Sequence, residues 1–188
     1  ELEYYMKKNG SEKPSFDTNC VSGSNSSRPH GVPRPVKLEK GFLTMDYGAM
    51  VNGYHSDMTR TICIGKADDE MKKLYNTVLT AQEAAIEAAH PGMRNAELDK
   101  VARDIIDGAG YEGCFGHSLG HGVGLLIHED PRVSSGAGEL VLHPGEIITI
   151  EPGIYVEGKY GCRIEDMLYI TADGKRNLTD CPKELIEV

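Results

Sequence analysis

Apolar side chains recur along this chain with two different periods. Between residues 70 and 90, Met71, Leu74, Tyr75, Val78, Ala85, Ile86 and Ala89 repeat at helical steps, which predicts an amphipathic helix stopped by Pro91-Gly92. The acidic run Asp68-Asp69-Glu70 suits the N-terminus of that helix, where negative charge meets the positive end of the macrodipole. Leu98, Val101, Ile105 and Ile106 predict a second helix, begun by Asn95 as its cap and closed by Gly108 and Gly110. Residues 1–8 place Leu2, Tyr5 and Met6 on one face of a short helix that Asn9-Gly10 ends. Residues 42–47 (FLTMDY) and 58–64 (MTRTICI) read as strands, with the turn signal Asn52-Gly53 between them. Residues 11–40, rich in Ser, Pro, Gly and Asn, are expected to be mostly loop. From residue 122 onward the pattern predicts short strands at VGLLI, EIITIE, GIYV and RIEDMLYIT.

A faint internal repeat runs through these elements. The stretch from Leu38 to Asp46 (LEKGFLTMD) resembles that from Leu142 to Glu151 (LHPGEIITIE). Each is a turn, an apolar strand, then a carboxylate followed shortly by glycine. The helix ending at Gly10 likewise matches the one ending at Gly110. The alternative is chance similarity between short αβ segments. On this alignment the counterpart of residues 70–100 would lie before residue 1, so the first half is expected to lack its opening helix.

Composition narrows the class. The 188 residues suit one domain with a real core, and no apolar run reaches membrane-spanning length. No signal-peptide pattern opens the chain, and the first residue is not Met, so an upstream start is expected. A net charge of −9 argues against a nucleic-acid binder, which needs a basic face. The five cysteines (20, 63, 114, 162 and 181) are odd in number and form no C-x-x-C pair, which reads as reduced, mostly buried thiols in a cytoplasmic protein.

The candidate chemistry lies in acidic and imidazole groups beside apolar strands. Asp46 and Asp57 sit on two successive strands, so a hairpin can aim both at one point. His117 and His121 are four positions apart, but Gly120, Gly122 and Gly124 disfavour a helix there. Glu151 ends a strand before Pro152-Gly153, and Glu165 is expected inside a strand, where a charge is costly unless paired or bound to metal. A lone Asp at a strand end is usually a turn former and a lone His a satisfied polar residue. Four carboxylates and one imidazole together are hard to bury without cations. Such a set without thiolate favours Mn, Co, Fe or Zn, and two ions about 3.5–4 Å apart would share a hydroxide nucleophile.

The segments SFDTNCVSGSNSSRPHGVP, TMDYGAMVNGYHSDMTRT, GHSLGHGVGLLIHEDP, TIEPGIYV and GCRIEDMLYIT, in that order, resemble the pita-bread metallopeptidases. That group includes aminopeptidase P, Xaa-Pro dipeptidase and methionine aminopeptidase. The resemblance implies an α+β pita-bread fold, two αβ halves related by a pseudo-twofold, with the first half N-terminally truncated. Residues 1–188 would be the catalytic domain, without the N-terminal domain and first catalytic helix of the full-length enzymes. It implies metal ligands at Asp46, Asp57, His121, Glu151 and Glu165, with two divalent ions, Mn or Co ahead of Zn or Fe. It further implies supporting roles for His30, His117, His128 and Arg163, with Tyr155 behind them. Cys162, although near Arg163, is not expected to be a ligand.

His117, four residues before His121, resembles the Xaa-Pro branch, as does the short interval from Glu151 to Glu165. The implied activity is cleavage of Xaa-Pro peptide bonds by a metal-bridging hydroxide, with Glu151 and His117 both candidates to handle protons. The implied partner is a proline-containing peptide, not nucleic acid or membrane, and a homodimer is compatible with the family. Two readings compete: methionine aminopeptidase activity, favoured by HGVP around His30 and by GHGVG, and a non-catalytic pita-bread module that binds a protein.

Overall fold

The computed structural model describes residues 1–188. The elements in chain order are α1 (Leu2–Lys8), β1 (Lys13–Pro14), β2 (Asn19–Ser22), β3 (Gly41–Tyr47), β4 (Ala49–Val51), β5 (Tyr54–His55), β6 (Met58–Ile64), α2 (Asp69–Ala88) and α3 (Asn95–Ile106). They continue as β7 (Gly120–Gly122), β8 (Glu129–Val133), β9 (Ile147–Ile150), β10 (Gly153–Val156), β11 (Tyr160–Arg163), β12 (Asp166–Ile170) and β13 (Lys175–Asn177). No helix is long and apolar enough to cross a membrane.

Two antiparallel sheets carry the architecture, in the orders β2-β3-β6 and β13-β12-β9-β7-β8. The triplet β2-β3-β6 has its counterpart in β7-β9-β12. Asp46 lies near the end of β3 and Glu151 just after β9; Asp57 immediately precedes β6 and Glu165 immediately precedes β12. Gly41 at φ +103° and Gly145 at φ +99° enter the matching strands from the left-handed region that glycine tolerates. The sequence repeat therefore corresponds to two αβ halves.

One apolar core joins them. α2 buries Met71, Leu74, Tyr75, Val78, Ala81 and Ala85, and α3 buries Leu98, Ala102 and Ile106. These pack with Ile148, Ile150, Ile154 and Leu168 of the second half and with Phe42 and Cys63 of the first. Asp68 caps α2 by accepting from the Met71 N–H at 2.8 Å, and Asp69 and Glu70 occupy its first turn. The chain's last residues run along β6: Cys63 N–H donates to Ile186 O and Val188 N–H to Cys63 O, both at 2.9 Å.

Several expectations need correction. Residues 11–40 are mostly loop, as expected, but include two short strands, β1 and β2, and a 3-10 turn at Gly23–Ser27. β2 (NCVS) escaped notice because its backbone pairing with β3, not an apolar face, defines it. Between β3 and β6 the structure inserts a second hairpin, β4–β5, whose turn is Asn52-Gly53 at φ 52° and 78°. VGLLI is not a strand. β7 ends at Gly122, the Glu129 carboxylate accepts from Leu126 N–H at 3.0 Å, and Leu125 and Leu126 turn outward into solvent. RIEDMLYIT is two strands rather than one, so Glu165 sits at a break: its N–H leaves its own sheet to reach Thr59 O at 3.1 Å. Asn95 does not cap α3. It is the first helical residue, after the N-cap Arg94, and its side chain donates to Arg132 O at 2.9 Å. All five cysteines are free, but only Cys63 and Cys162 are buried.

Leu98 is fully enclosed where α3 meets the core. Leu98→Ala should lower unfolding free energy by about 2–5 kcal/mol, the range for a buried leucine truncated into a cavity. Equilibrium urea unfolding, read by far-UV circular dichroism, checks this; a loss below about 1 kcal/mol would contradict the packing described.

Candidate metal centre

Both halves aim their carboxylates inward across the seam between the sheets. Asp46 reaches the site from β3, opposite Asn19 on β2 and Thr59 on β6. Asp57 is held at the start of β6, its N–H resting on Met167 Sδ at 3.1 Å. Glu165 is held reciprocally, its N–H on Thr59 O and its Oε2 accepting from the Thr59 hydroxyl at 2.6 Å. Thr149 performs a similar service on β9: its hydroxyl accepts from His121 N–H at 3.0 Å and donates to Glu151 Oε1 at 3.2 Å. Gly120, beside His121, lets β7 lie this close, since a Cβ there would fall 1.9 Å from Thr149 O.

Asp46, Asp57, His121, Glu151 and Glu165 all line one cavity of about 460 Å³. One ligand atom from each of Asp57, His121 and Glu165 lies within 4.8 Å of the other two. His121 Nδ1 is 3.0 Å from Gly122 O, so that nitrogen carries the proton and donates it to the carbonyl. Its Nε2 lone pair then faces Asp57 Oδ2 at 3.6 Å and Glu151 Oε1 at 3.4 Å. A lone pair turned toward two carboxylate oxygens repels them unless a cation or a carboxyl proton lies between. Asp46 Oδ1, Asp57 Oδ1 and Glu165 Oε1 are also buried without a hydrogen-bond partner, the unsatisfied state that a bound cation relieves. Nitrogen and oxygen donors with no thiol lining the cavity fit divalent ions of the Mn, Co, Fe or Zn type.

Protonation reflects the same crowding. Burial, then the Asp46 and Glu151 charges, pushes Asp57 up to about 9. Burial raises Glu151 to about 7, opposed by Arg163. Glu165 is driven well above the carboxylate range by burial and by Asp57, and Asp46 is raised by burial against the pull of Arg163. Burial lowers His121 and His117 each to about 4, so both rings are neutral near pH 7. Charged carboxylates and neutral imidazoles are the forms that bind cations, and a cation would restore the first while suiting the second.

The supporting residues named from sequence separate into two groups. Arg163 is buried in the centre: it pairs with Asp46, donates from Nη1 to Tyr155 OH at 3.0 Å, and donates from Nε to Thr59 Oγ1 at 3.1 Å. His117 meets that cluster through Nε2, 2.9 Å from Tyr155 OH, while its Nδ1 lies 2.8 Å from Ser118 O. His30 and His128 are exposed and line the outer part of the cavity, with the His128 ring 4.3 Å from that of His121.

Sequence reasoning missed the hydroxyls of Thr59 and Thr149 and a clamp on α3. Arg103 forms a two-bond ion pair with buried Asp99 at 2.9 and 3.0 Å and donates to Phe115 O at 2.7 Å and His117 O at 3.0 Å. Asp99 Oδ1 accepts from Leu119 N–H at 3.0 Å, so the pair fixes the segment carrying His117. The available signal was an acid and an arginine four residues apart beside the apolar stripe of Leu98, Ala102 and Ile106. Arg132, whose Nε donates to Ser118 Oγ at 3.2 Å, also lines the cavity and was missed.

With this geometry the chain can be compared with known proteins. The family model described as metallopeptidase family M24 matches residues 1–172. The chain belongs to metallopeptidase family M24. It is 51% identical to the Xaa-Pro dipeptidase of Pyrococcus furiosus over 99% of this chain and 53% of that protein. The prolidase crystal structure from Pyrococcus horikoshii superposes with a TM-score of 0.95 at 50% identity, covering 98% of this chain and 53% of that one. Aminopeptidase P from Escherichia coli superposes at 0.86 with 26% identity, over 95% and 47%. The chain thus spans about half the length of the relatives it matches, and its two αβ halves are the pita-bread fold of this M24 group.

The raised carboxylates give the metal-free protein a definite pH response. Above about pH 7.5 His117 and His121 are neutral both folded and unfolded, whereas unfolded carboxylates lost their protons near pH 4. The folded state therefore holds extra protons, on Asp57 up to about 9, and its stability falls as pH rises from about 7.5 to about 9. Chelator-treated protein should lose thermal midpoint over that window, and Glu165→Gln, which removes one of the crowded carboxyls that raise one another, should flatten the loss. Added Mn²⁺ should reverse the slope, because ligand deprotonation favours binding. Differential scanning fluorimetry across the window decides; a flat wild-type profile under chelation would contradict the crowding.

Proposed function

We propose that this chain carries the dinuclear metal centre of a peptidase that cleaves Xaa-Pro bonds, with Asp46, Asp57, His121, Glu151 and Glu165 as the metal ligands. The observation that carries the reading is the His121 Nε2 lone pair aimed at Asp57 and Glu151 beside three orphaned carboxylate oxygens. The names of the relatives, Xaa-Pro dipeptidase and prolidase, supply the substrate class. When bound, such ions supply Lewis-acid activation of water and of a peptide carbonyl. The carboxylate-rich set with a single imidazole favours Mn²⁺ or Co²⁺, with Zn²⁺ and Fe²⁺ as the other choices.

The chain's own residues then divide the work. We assign the proton-accepting role to Glu151, supported by its place on the cavity wall with the Thr149 hydroxyl orienting its Oε1. His117 is less suited to that role, because Ser118 O and Tyr155 OH occupy both of its ring nitrogens. His117 instead extends the Tyr155–Arg163 chain that steadies Asp46. We assign peptide binding to His30 and His128, supported by their exposure at the outer part of the cavity. The five unpaired thiols support a reducing, cytoplasmic setting, and the net charge of −9 supports a peptide rather than a nucleic-acid partner.

The protein loaded with Mn²⁺ or Co²⁺ should hydrolyse Ala-Pro, and Asp57→Ala should reduce turnover to the uncatalysed background. Activity surviving that change removes the ligand assignment. Faster cleavage of Met-Ala than of Ala-Pro would replace the Xaa-Pro reading with a methionine aminopeptidase one, and absence of bound metal with absence of turnover would favour a binding module.

A further inference from the structure

We infer that Arg60 is a positioning residue for the metal centre, setting the spacing of Asp57 and Glu165 by locking the two halves together behind them. The inference rests on the metal-centre reading above.

Arg60 is buried on β6, three residues after Asp57, and does not line the site cavity. Its guanidinium has five N–H donors, and the structure supplies five acceptors. Nη1 donates to Thr59 O at 2.9 Å and Glu165 O at 2.7 Å. Nη2 donates to Asp166 Oδ1 at 2.7 Å and Cys181 O at 3.0 Å, and Nε to Pro182 O at 3.1 Å. Asp166, fully buried, spends its other oxygen on Lys183 Nζ and Asn177 Nδ2, both at 2.7 Å.

The two peptides gripped by Nη1 form the seam of the site. Glu165 N–H donates to Thr59 O, and the Thr59 hydroxyl donates to the Glu165 carboxylate. Asp57, two residues before Thr59, is tied across the same seam through Met167. A planar fork bonded to both carbonyls fixes how far apart β6 and the β11–β12 break can move. That separation sets the distance between the Asp57 and Glu165 carboxylates, which converge with His121. The grip is also linked to the chain after β13, through Cys181, Pro182 and Lys183. Lysine offers three donors from a single point and cannot span Thr59 O, Glu165 O, Asp166 and the two carbonyls after β13 together.

The test is metal binding by titration calorimetry on chelator-stripped protein, with amide hydrogen exchange at Thr59 and Glu165 read in the metal-free state. Arg60→Lys should weaken Mn²⁺ binding roughly 10- to 100-fold, as loss of an outer partner of a ligand does, and speed exchange at the Glu165 amide while the far-UV spectrum is unchanged. Should Arg60→Lys fail to fold, Asp166→Asn serves instead. It keeps one oxygen to accept from Arg60 Nη2 but removes the charge that orients the guanidinium, and it should weaken binding in the same sense. Either folded variant binding two ions with wild-type affinity overturns the inference, even if its thermal midpoint falls, because Arg60 would then only support the fold. Wild-type protein that binds no metal overturns the metal-centre reading itself, a separate outcome.

Discussion

Four carboxylates and an imidazole meet around one small cavity, and the repulsion among them is the constraint to which the rest of this structure answers. Burial alone would leave these groups protonated, as the upward shifts of Asp57, Glu151 and Glu165 record. The fold nevertheless brings them together from five separated points in the chain. Thr59 and Thr149 hold Glu165 and Glu151 through their hydroxyls and Arg163 holds Asp46, while Asp46, Asp57 and Glu165 each keep one oxygen without a partner. Such an arrangement is costly in isolation and favourable once cations occupy it.

Symmetry explains how so few residues suffice. Each half contributes an antiparallel triplet with one carboxylate near the end of its central strand and one just before its third strand. Bringing the two halves to one cavity doubles that pair. The departures from symmetry are where chemistry enters. β7 carries His121 between glycines, and only the second half is extended by β8 and β13. Arg163 intrudes from β11 to pair with Asp46, so one carboxylate is steadied by a cation of the protein itself.

The supports around the centre share one design, in which a cationic side chain grips backbone carbonyls and is held by a buried aspartate. Arg103 with Asp99 fixes the segment before His121, and Arg60 with Asp166 fixes the seam between Asp57 and Glu165. Arginine suits this task because its fork reaches several acceptors at once in fixed geometry. Neither pair touches the cavity as a binding group, and each acts through the backbone it holds.

By itself the sequence determined the two long helices, the β3 and β6 strands, the internal repeat and the short list of acidic and imidazole residues that the structure gathers around one cavity. These were legible because helical periodicity, β-branched runs and a carboxylate beside an apolar strand are local patterns. Only the tertiary structure decided the rest. β2 exists because β3 offers it an edge, and Glu165 leaves its strand because Thr59 of the other half takes its N–H. The convergence of the five ligand groups and the roles of Thr59, Thr149 and Arg60 depend on atoms more than twenty residues away in the chain or across the seam, and no local pattern encodes a distance between two halves.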